Sequence, residues 1–322
     1  MGHPAILIFL AGLASSPFAL AQSYPTKPVR MVVGFPPGGP SDLVARTLAQ
    51  KLSASLGQQV IVENRAGAGG VIAAEQVAKS PPDGYTLLHG TIGSVAVAMS
   101  LNPNRGFDTL RDFAPITQNV AVTNILITHP SVPAKSVKEL LALARTRQGR
   151  LNYGSSGPGT LPHLAGELLK LMAKVEITHI AYKGSAPSFT ALLSGEVDMS
   201  FENSLIALPQ IRQGKVRALA VTGERRSKLL PDLPTIAEAA GLPGYGASGW
   251  YGLLAPAATP KAVVARLHAE TVQALRQPDV VERLSGQGAE PVGNTPQEFG
   301  AFIRSEIDKW ARLVKAANMK VE

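Results

Sequence analysis

The sequence predicts an α/β protein of two domains with a cleft between them. Three observations predict it. The chain has 322 residues, more than one ordinary compact core needs. Strand and helix patterns alternate through the first two thirds, and the alternation stops and restarts near Thr123. A returning strand, then a helical tail, follows a Gly/Pro-rich stretch near Ala247.

The elements follow in order. "AILIFLAGL" is a short apolar run, and Ala19-Leu20-Ala21 before Gln22 forms an A-x-A cleavage pattern. Residues 1–21 are therefore expected to be an export signal, although His3 precedes the run where Lys or Arg is usual. A buried N-terminal strand or a membrane anchor is the alternative. Val29–Val33 reads as a buried strand. Ser41–Leu56 reads as a helix because Val44, Leu48, Leu52 and Leu56 recur every fourth residue. Gln59–Asn64 is a strand, Gly69–Ser80 a helix stopped by Pro81-Pro82, and Tyr85–Gly90 a third strand.

The second unit runs strand Asn124–Pro130, helix Ser136–Gln148, strand Leu151–Gly154, helix Leu161–Met172 and strand Ile177–Tyr182. Helix Ser185–Ser194, strand Val197–Phe201, helix Ser204–Arg212 and strand Val216–Thr222 complete it. Both units are expected to carry parallel sheets. Strand Trp250–Pro256 and helices Pro260–Arg276, Pro278–Ser285 and Pro296–Ala317 then return to cover the first sheet. The expected domains are 22–123 with 247–322, and 124–246. Two chain crossings between them make a hinge, and a hinge suits a protein that closes over a ligand.

Composition narrows the function. The chain is 45% hydrophobic and 17% charged, within the globular range. Cysteine is absent, which excludes disulfides and thiolate metal sites. The net charge of +8 either steers anions toward the protein or, the plainer reading, only solvates its surface. Aromatics make up only 5% and no basic run interleaves with them, so nucleic acid is not expected as a partner.

The informative stretch is "VVGFPPGGPSDLVAR", where a strand stops at Pro36, Pro37, Gly38 and Gly39 and a helix starts at once. A helix N-terminus carries amides without internal partners and a dipole that favours anions. Glycines let a ligand oxygen approach the main chain, and prolines stiffen the approach. The turn reads as a preorganised anion cradle, with Ser41 or Asp42 free to cap the helix. A tight, well-capped connection is the plainer alternative. "NYGSSGPGTLPHLAGE" repeats the logic in the second domain, with Ser155, Ser156, Gly157, Gly159 and Thr160 ahead of a helix. Two opposed cradles make a clamp suited to carboxylates. "NRAGAGG" (64–70) also joins a strand to a helix, and either lines the cleft or holds the chain turn.

At these residues the chain resembles the Bug family, the extracytoplasmic solute receptors of tripartite tricarboxylate transporters. The matching stretches include "YPTKPVRMVVGFPPGGPSDLVAR", "VIVENRAGAGG", "LNYGSSGPGTLPHLAGE", "AYKGSAPSFTALLSGEVDMSFEN", "LPDLPTIAEAAGLPGY" and "WYGLLAPAATP", in family order over nearly all of residues 22–322. The resemblance implies a two-domain periplasmic-binding-protein fold of type II, the Venus flytrap. It implies a small carboxylate ligand held by main-chain amides and water at the two turns. It also implies docking on a two-component membrane permease from the periplasm. The ligand-binding set carried over is Phe35, Pro36, Gly38, Gly39, Ser41, Tyr153, Ser155, Ser156, Gly157, Thr160, His163, Tyr182 and Lys183, with Asp42 holding the turn. No cofactor or metal is expected, and a monomer is.

Each position has a plainer reading. Lys183 is either a ligand partner or solvated. Tyr182 either bonds the ligand or packs. His163 either anchors its loop or touches the ligand, and no second His lies at metal spacing. His89, His129, His179 and His268 are expected to be structural, and Trp250 and Tyr251 to pack. Thr91 and Ser94 are further candidates for the cleft, with Asn203 opposite. A hydrolase is the rival class. Gly154-Ser155-Ser156-Gly157 meets Pro158 where G-x-S-x-G needs glycine, and no phosphate-binding loop or H-E-x-x-H is present. A receptor that presents its ligand to a membrane sensor shares the same clamp.

Overall fold

The structure is a computed structural model that describes residues 24–102, 105–146 and 149–320. The expected export signal lies outside these residues.

The first lobe opens with β1 (Val29–Val33), α1 (Pro40–Leu56), β2 (Val60–Asn64), α2 (Val71–Ala78) and β3 (Thr86–Thr91). A π-helical turn over Gly93–Val97 leads to the short α3 (Ala98–Leu101) and α4 (Thr109–Asp112), then to β4 (Phe113–Val122). The second lobe runs β5 (Asn124–Thr128), α5 (Val137–Thr146), β6 (Asn152–Ser155), α6 (Leu161–Ala173), β7 (Thr178–Ala181) and α7 (Ser185–Leu193). It continues through β8 (Met199–Asn203), α8 (Ser204–Arg212), β9 (Arg217–Val221) and α9 (Ile236–Ala240). The chain returns on β10 (Gly249–Pro256), then α10 (Lys261–Leu275), α11 (Pro278–Ser285), β11 (Ala289–Pro291) and α12 (Pro296–Ala316).

Two sheets result, ordered β11-β4-β10-β3-β1-β2 and β7-β6-β8-β5-β9. The architecture is the two-domain α/β fold expected from the sequence. The sheets, however, are mixed and not simply parallel. β1 runs parallel to β2 and β3, and β6 parallel to β7 and β8. β10 is antiparallel to β3 and β4, and β5 is antiparallel to β8 and β9. These exceptions belong to strands at the lobe crossings. β4 feeds directly into β5 through Thr123, and β10 arrives from the other lobe, so neither follows the β-helix-β path that makes strands parallel.

β4 was not expected from the sequence. Its Pro115, Gln118 and Asn119 disguise a ten-residue strand, because proline removes a ladder donor and polar residues break the apolar run. Pro115 is accommodated at a shift in register between Leu253 and Leu254 of β10. The predicted stripe of α1 is buried in full: Val44, Leu48, Leu52 and Leu56 pack in one core with Val29, Met31 and Val33. The tail helices α10 and α12 pack on β4 of the first sheet. Trp250 of β10 fastens α12: its Nε1 donates to the buried Glu306 Oε2 at 3.0 Å, and Trp310 Nε1, within α12, donates to the same oxygen at 3.0 Å.

Candidate functional site

A cleft of about 720 Å³, counting space open to solvent, lies between the lobes. Its walls come from strand-to-helix turns, and its remaining lining, including Val122, Asn124, Asn203 and Gly249, comes from the chain crossings.

The first wall is the turn between β1 and α1. Phe35, Pro36, Pro37, Gly39, Pro40 and Ser41 line the cleft. Gly39 is the N-cap of α1 and offers no side chain, so the amides of Ser41 and Asp42 have no carbonyl four residues back. Gly38 does not line the cleft; its φ of 79° makes the corner. Asp42 holds this corner from behind. Its Oδ2 accepts from Gly38 N and Arg46 Nε, both at 2.9 Å, and its Oδ1 accepts from Asn64 Nδ2 at 2.8 Å. Asn64 Nδ2 also donates to Phe35 O at 3.0 Å. Burial alone would raise the Asp42 pKa, but the bonds from Arg46, Gly38 and Asn64 hold its carboxyl below the usual range.

The second wall is the turn between β6 and α6. Ser156, Thr160, Leu161 and Pro162 line the cleft. The N-cap Thr160 leaves the helix amides uncapped, because its hydroxyl donates to Gly157 O at 2.6 Å instead. Tyr153, Ser155, Gly157 and His163, four residues of the expected ligand-binding set, do not line the cleft. They form the turn's support. Ser155 Oγ accepts from Gly157 N at 3.1 Å and lies 2.6 Å from His179 Nε2. His163 Nδ1 accepts from Gly159 N at 3.0 Å, and its ring stacks on His179 with centroids 4.1 Å apart. Tyr153 stacks on the other side, 4.9 Å from His179, and donates to Glu167 Oε1 at 2.8 Å. Burial pushes the pKa of His163 down to about 4 and that of His179 to about 3, so both rings stay neutral under the turn. The Ser155–His179 pair resembles a nucleophile and base, yet Ser155 is fully buried and neither residue lines the cleft.

A third wall was missed at the sequence level. Gly184, Ser185, Ala186 and Pro187, at the start of α7, also line the cleft, and Gly184 supplies no side-chain cap. The signal was present: Gly184-Ser185-Ala186-Pro187 has the glycine, small residues and first-turn proline of the other two turns. Tyr182 and Lys183, just before it, do not line the cleft. Tyr182 donates to Glu196 Oε1 at 2.7 Å, with its pKa raised to about 12 mainly by desolvation, and Lys183 is exposed. Thr91, Ile92 and Gly93 add a fourth segment. Thr91 lines the cleft, while Ser94 turns back to bond Thr91, its Oγ accepting from Thr91 N at 3.1 Å.

The crossings add Asn124, Glu202, Asn203, Trp250 and Tyr251. Asn203 Nδ2 donates to Tyr251 OH at 3.3 Å, joining the two sheets. His89 is buried 3.3 Å from Asn119 Nδ2 and does not line the cleft. Among the described residues no Lys, Arg or His lines it, and none of their His, Asp and Glu groups could hold a metal.

The rims of the lobes touch. A Cβ on Gly69 would come within 2.7 Å of Pro158 O, one on Gly93 within 3.0 Å of Gly159 O, and one on Gly184 within 3.2 Å of Pro36. The "NRAGAGG" turn therefore serves contact between the lobes; none of its residues lines the cleft.

Known proteins share this architecture. Residues 44–319 match TctC, the tripartite tricarboxylate transporter family receptor. A protein of R. palustris solved with adipate is 39% identical, with a TM-score of 0.89 over 93% of this chain and 100% of that one. The periplasmic binding protein BugD is 38% identical, with a TM-score of 0.87 over 93% and 100%. MatC from Rhodopseudomonas palustris, solved with bound malate, is 35% identical, with a TM-score of 0.85 over 90% and 100%. Sequence and fold together make this chain a member of the tripartite tricarboxylate transporter receptor family.

Proposed function

We propose that the protein is a periplasmic receptor that captures a small carboxylate between its lobes and delivers it to a two-component membrane permease. One observation carries the reading: three helices, α1, α6 and α7, start at one cleft with no side-chain cap on any of them. Their free amides and dipoles suit an anion without a cationic side chain. The adipate and malate seen in its relatives support the choice of anion. Gly39, Ser41, Ser156, Thr160 and the Gly184–Pro187 segment are the contacts, with Phe35 and Pro36 shaping the wall. Gly38, Asp42, Tyr153, Ser155, Gly157 and His163 hold the turns in place. The moving bodies are residues 22–123 with 247–322, and 124–246, hinged at Thr123 and Ala247. The protein acts as an exported monomer without a cofactor, and binds without turnover.

Thermal melting with a panel of mono-, di- and tricarboxylates tests the reading. A saturating ligand that binds only the native state raises the melting temperature. A panel that leaves melting unchanged contradicts it, and release of a chemically altered product contradicts the non-catalytic role.

A further inference from the structure

Glu202 is the one carboxyl among the described residues lining the cleft, and it is fully buried on β8. Its Oε1 accepts from Ser200 Oγ at 2.9 Å and Ser188 Oγ at 3.3 Å. Its Oε2 is buried and has no partner. Asn124 lines the same cleft. Its Nδ2 donates to the backbone carbonyl of Phe201 at 2.7 Å, which fixes the amide orientation and leaves Oδ1 as an acceptor without a donor. Two buried acceptors thus border one cavity with nothing donating to them. A buried polar atom without its hydrogen bond is destabilising, and more so when it is ionised. Desolvation by burial pushes the Glu202 pKa up to about 7, against the bonds from Ser200, Ser188 and the Asn203 backbone.

We propose that Glu202 and Asn124 select the solute, and that it is a small carboxylate bearing a hydrogen-bond donor, an amino or hydroxy group, on its carbon chain. The inference rests on the carboxylate-receptor reading and adds to it. The ligand carboxylate takes the open helix amides, and its N–H or O–H groups satisfy Glu202 Oε2 and Asn124 Oδ1. A second bare carboxylate at this position would face Glu202 and repel it unless the two shared a proton. An unsubstituted chain would leave both acceptors unsatisfied.

Calorimetry with two matched series tests this: butyrate, 4-hydroxybutyrate and 4-aminobutyrate, and succinate, malate and aspartate. In at least one series a donor-bearing acid binds about tenfold or more tighter than its unsubstituted parent, as expected for a hydrogen bond to a charged group. The amino arm leading identifies an ionic partner for Glu202, and the hydroxy arm leading a neutral donor. Glu202→Gln, which keeps the shape, narrows that gap. Should this variant not fold, the wild-type ratios stand as the test. Parent acids that bind as tightly as their donor-bearing partners, or a gap that survives Glu202→Gln, overturn the proposal alone. Binding by none of the six overturns the proposal, and the carboxylate reading falls with it only when the wider panel also leaves melting unchanged.

Discussion

The starts of α1 and α12 are built on the same plan and differ in one choice. α12 begins Thr295-Pro296-Gln297-Glu298, and α1 begins Gly39-Pro40-Ser41-Asp42. Thr295 Oγ1 accepts from Glu298 N at 3.2 Å, and Glu298 Oε2 accepts from Thr295 N at 2.9 Å, a reciprocal capping box. At α1 the cap is glycine, and the buried Asp42 turns back to hold Gly38 instead. Both starts have proline first; only the cleft start leaves its amides unfilled. The same contrast separates two buried glutamates. Glu306 on α12 receives two indole N–H groups on one oxygen, whereas Glu202 in the cleft has an oxygen with no donor. The start of α12 is closed by its own side chains, and the cleft leaves hydrogen-bonding groups for a ligand to complete.

Filling the open start is the strongest way to break this contrast. Gly39→Asp places a carboxylate where the ligand's would sit, and a Cβ there meets only Pro36 O, at 3.6 Å. Affinity should fall by about a hundredfold, on the order of 2–3 kcal/mol, while the fold persists. Calorimetry together with thermal melting reads both, and undiminished binding would erase the distinction between the two helix starts.

The glutamates give the next effect. The folded-state pKa of Glu202 is raised to about 7 from 4.5, so the native state binds more protons between those values. Its contribution is fully present below about pH 4.5 and lost as pH rises through about 7. Glu202→Gln should therefore stabilise the ligand-free protein at pH 8 by on the order of 2 kcal/mol, with little effect near pH 4.5. Equal melting shifts at both pH values would mean that Glu202 is as well satisfied as Glu306.

Closure comes third. Gly93→Ala puts a methyl 3.0 Å from Gly159 O, across the seam between the lobes, and 3.2 Å from Gly69 O of its own lobe. Holding the lobes apart should weaken binding about tenfold. A scattering profile unchanged on ligand addition would accompany that loss, and full affinity in the variant would show that rim contact is dispensable. At the finished start, Thr295→Ala should lower stability by about 1 kcal/mol in denaturant unfolding and leave affinity untouched. Smallest of all, Lys183→Ala should change neither quantity, because Lys183 is exposed and outside the cleft. A clear loss of affinity there would restore side-chain charge as the recognition device.

Much of the fold was legible because strand and helix periods are local. Val44, Leu48, Leu52 and Leu56 announced α1, and the punctuation at Pro36–Gly39 marked where a strand becomes a helix at the cleft. β4 was hidden because Gln118 and Asn119 are polar yet buried, and their burial depends on β10, more than a hundred residues away in sequence. In the second turn, composition identified the loop but not the direction of each side chain. Ser155 and Ser156 are adjacent and alike, yet one bonds His179 beneath the turn and the other lines the cleft. Only the pleat and the packing of His163 on His179 decide between them. Glu202 left a trace in "VDMSFEN", an acid within an otherwise buried strand, but its open oxygen belongs to the tertiary structure.

A crystal structure with a bound carboxylate tests the central claim most directly. The account predicts the carboxylate oxygens within hydrogen-bond distance, directly or through one water, of the first-turn amides of α1, α6 or α7. A carboxylate seated against a lysine or arginine, with those amides turned to solvent, would contradict it.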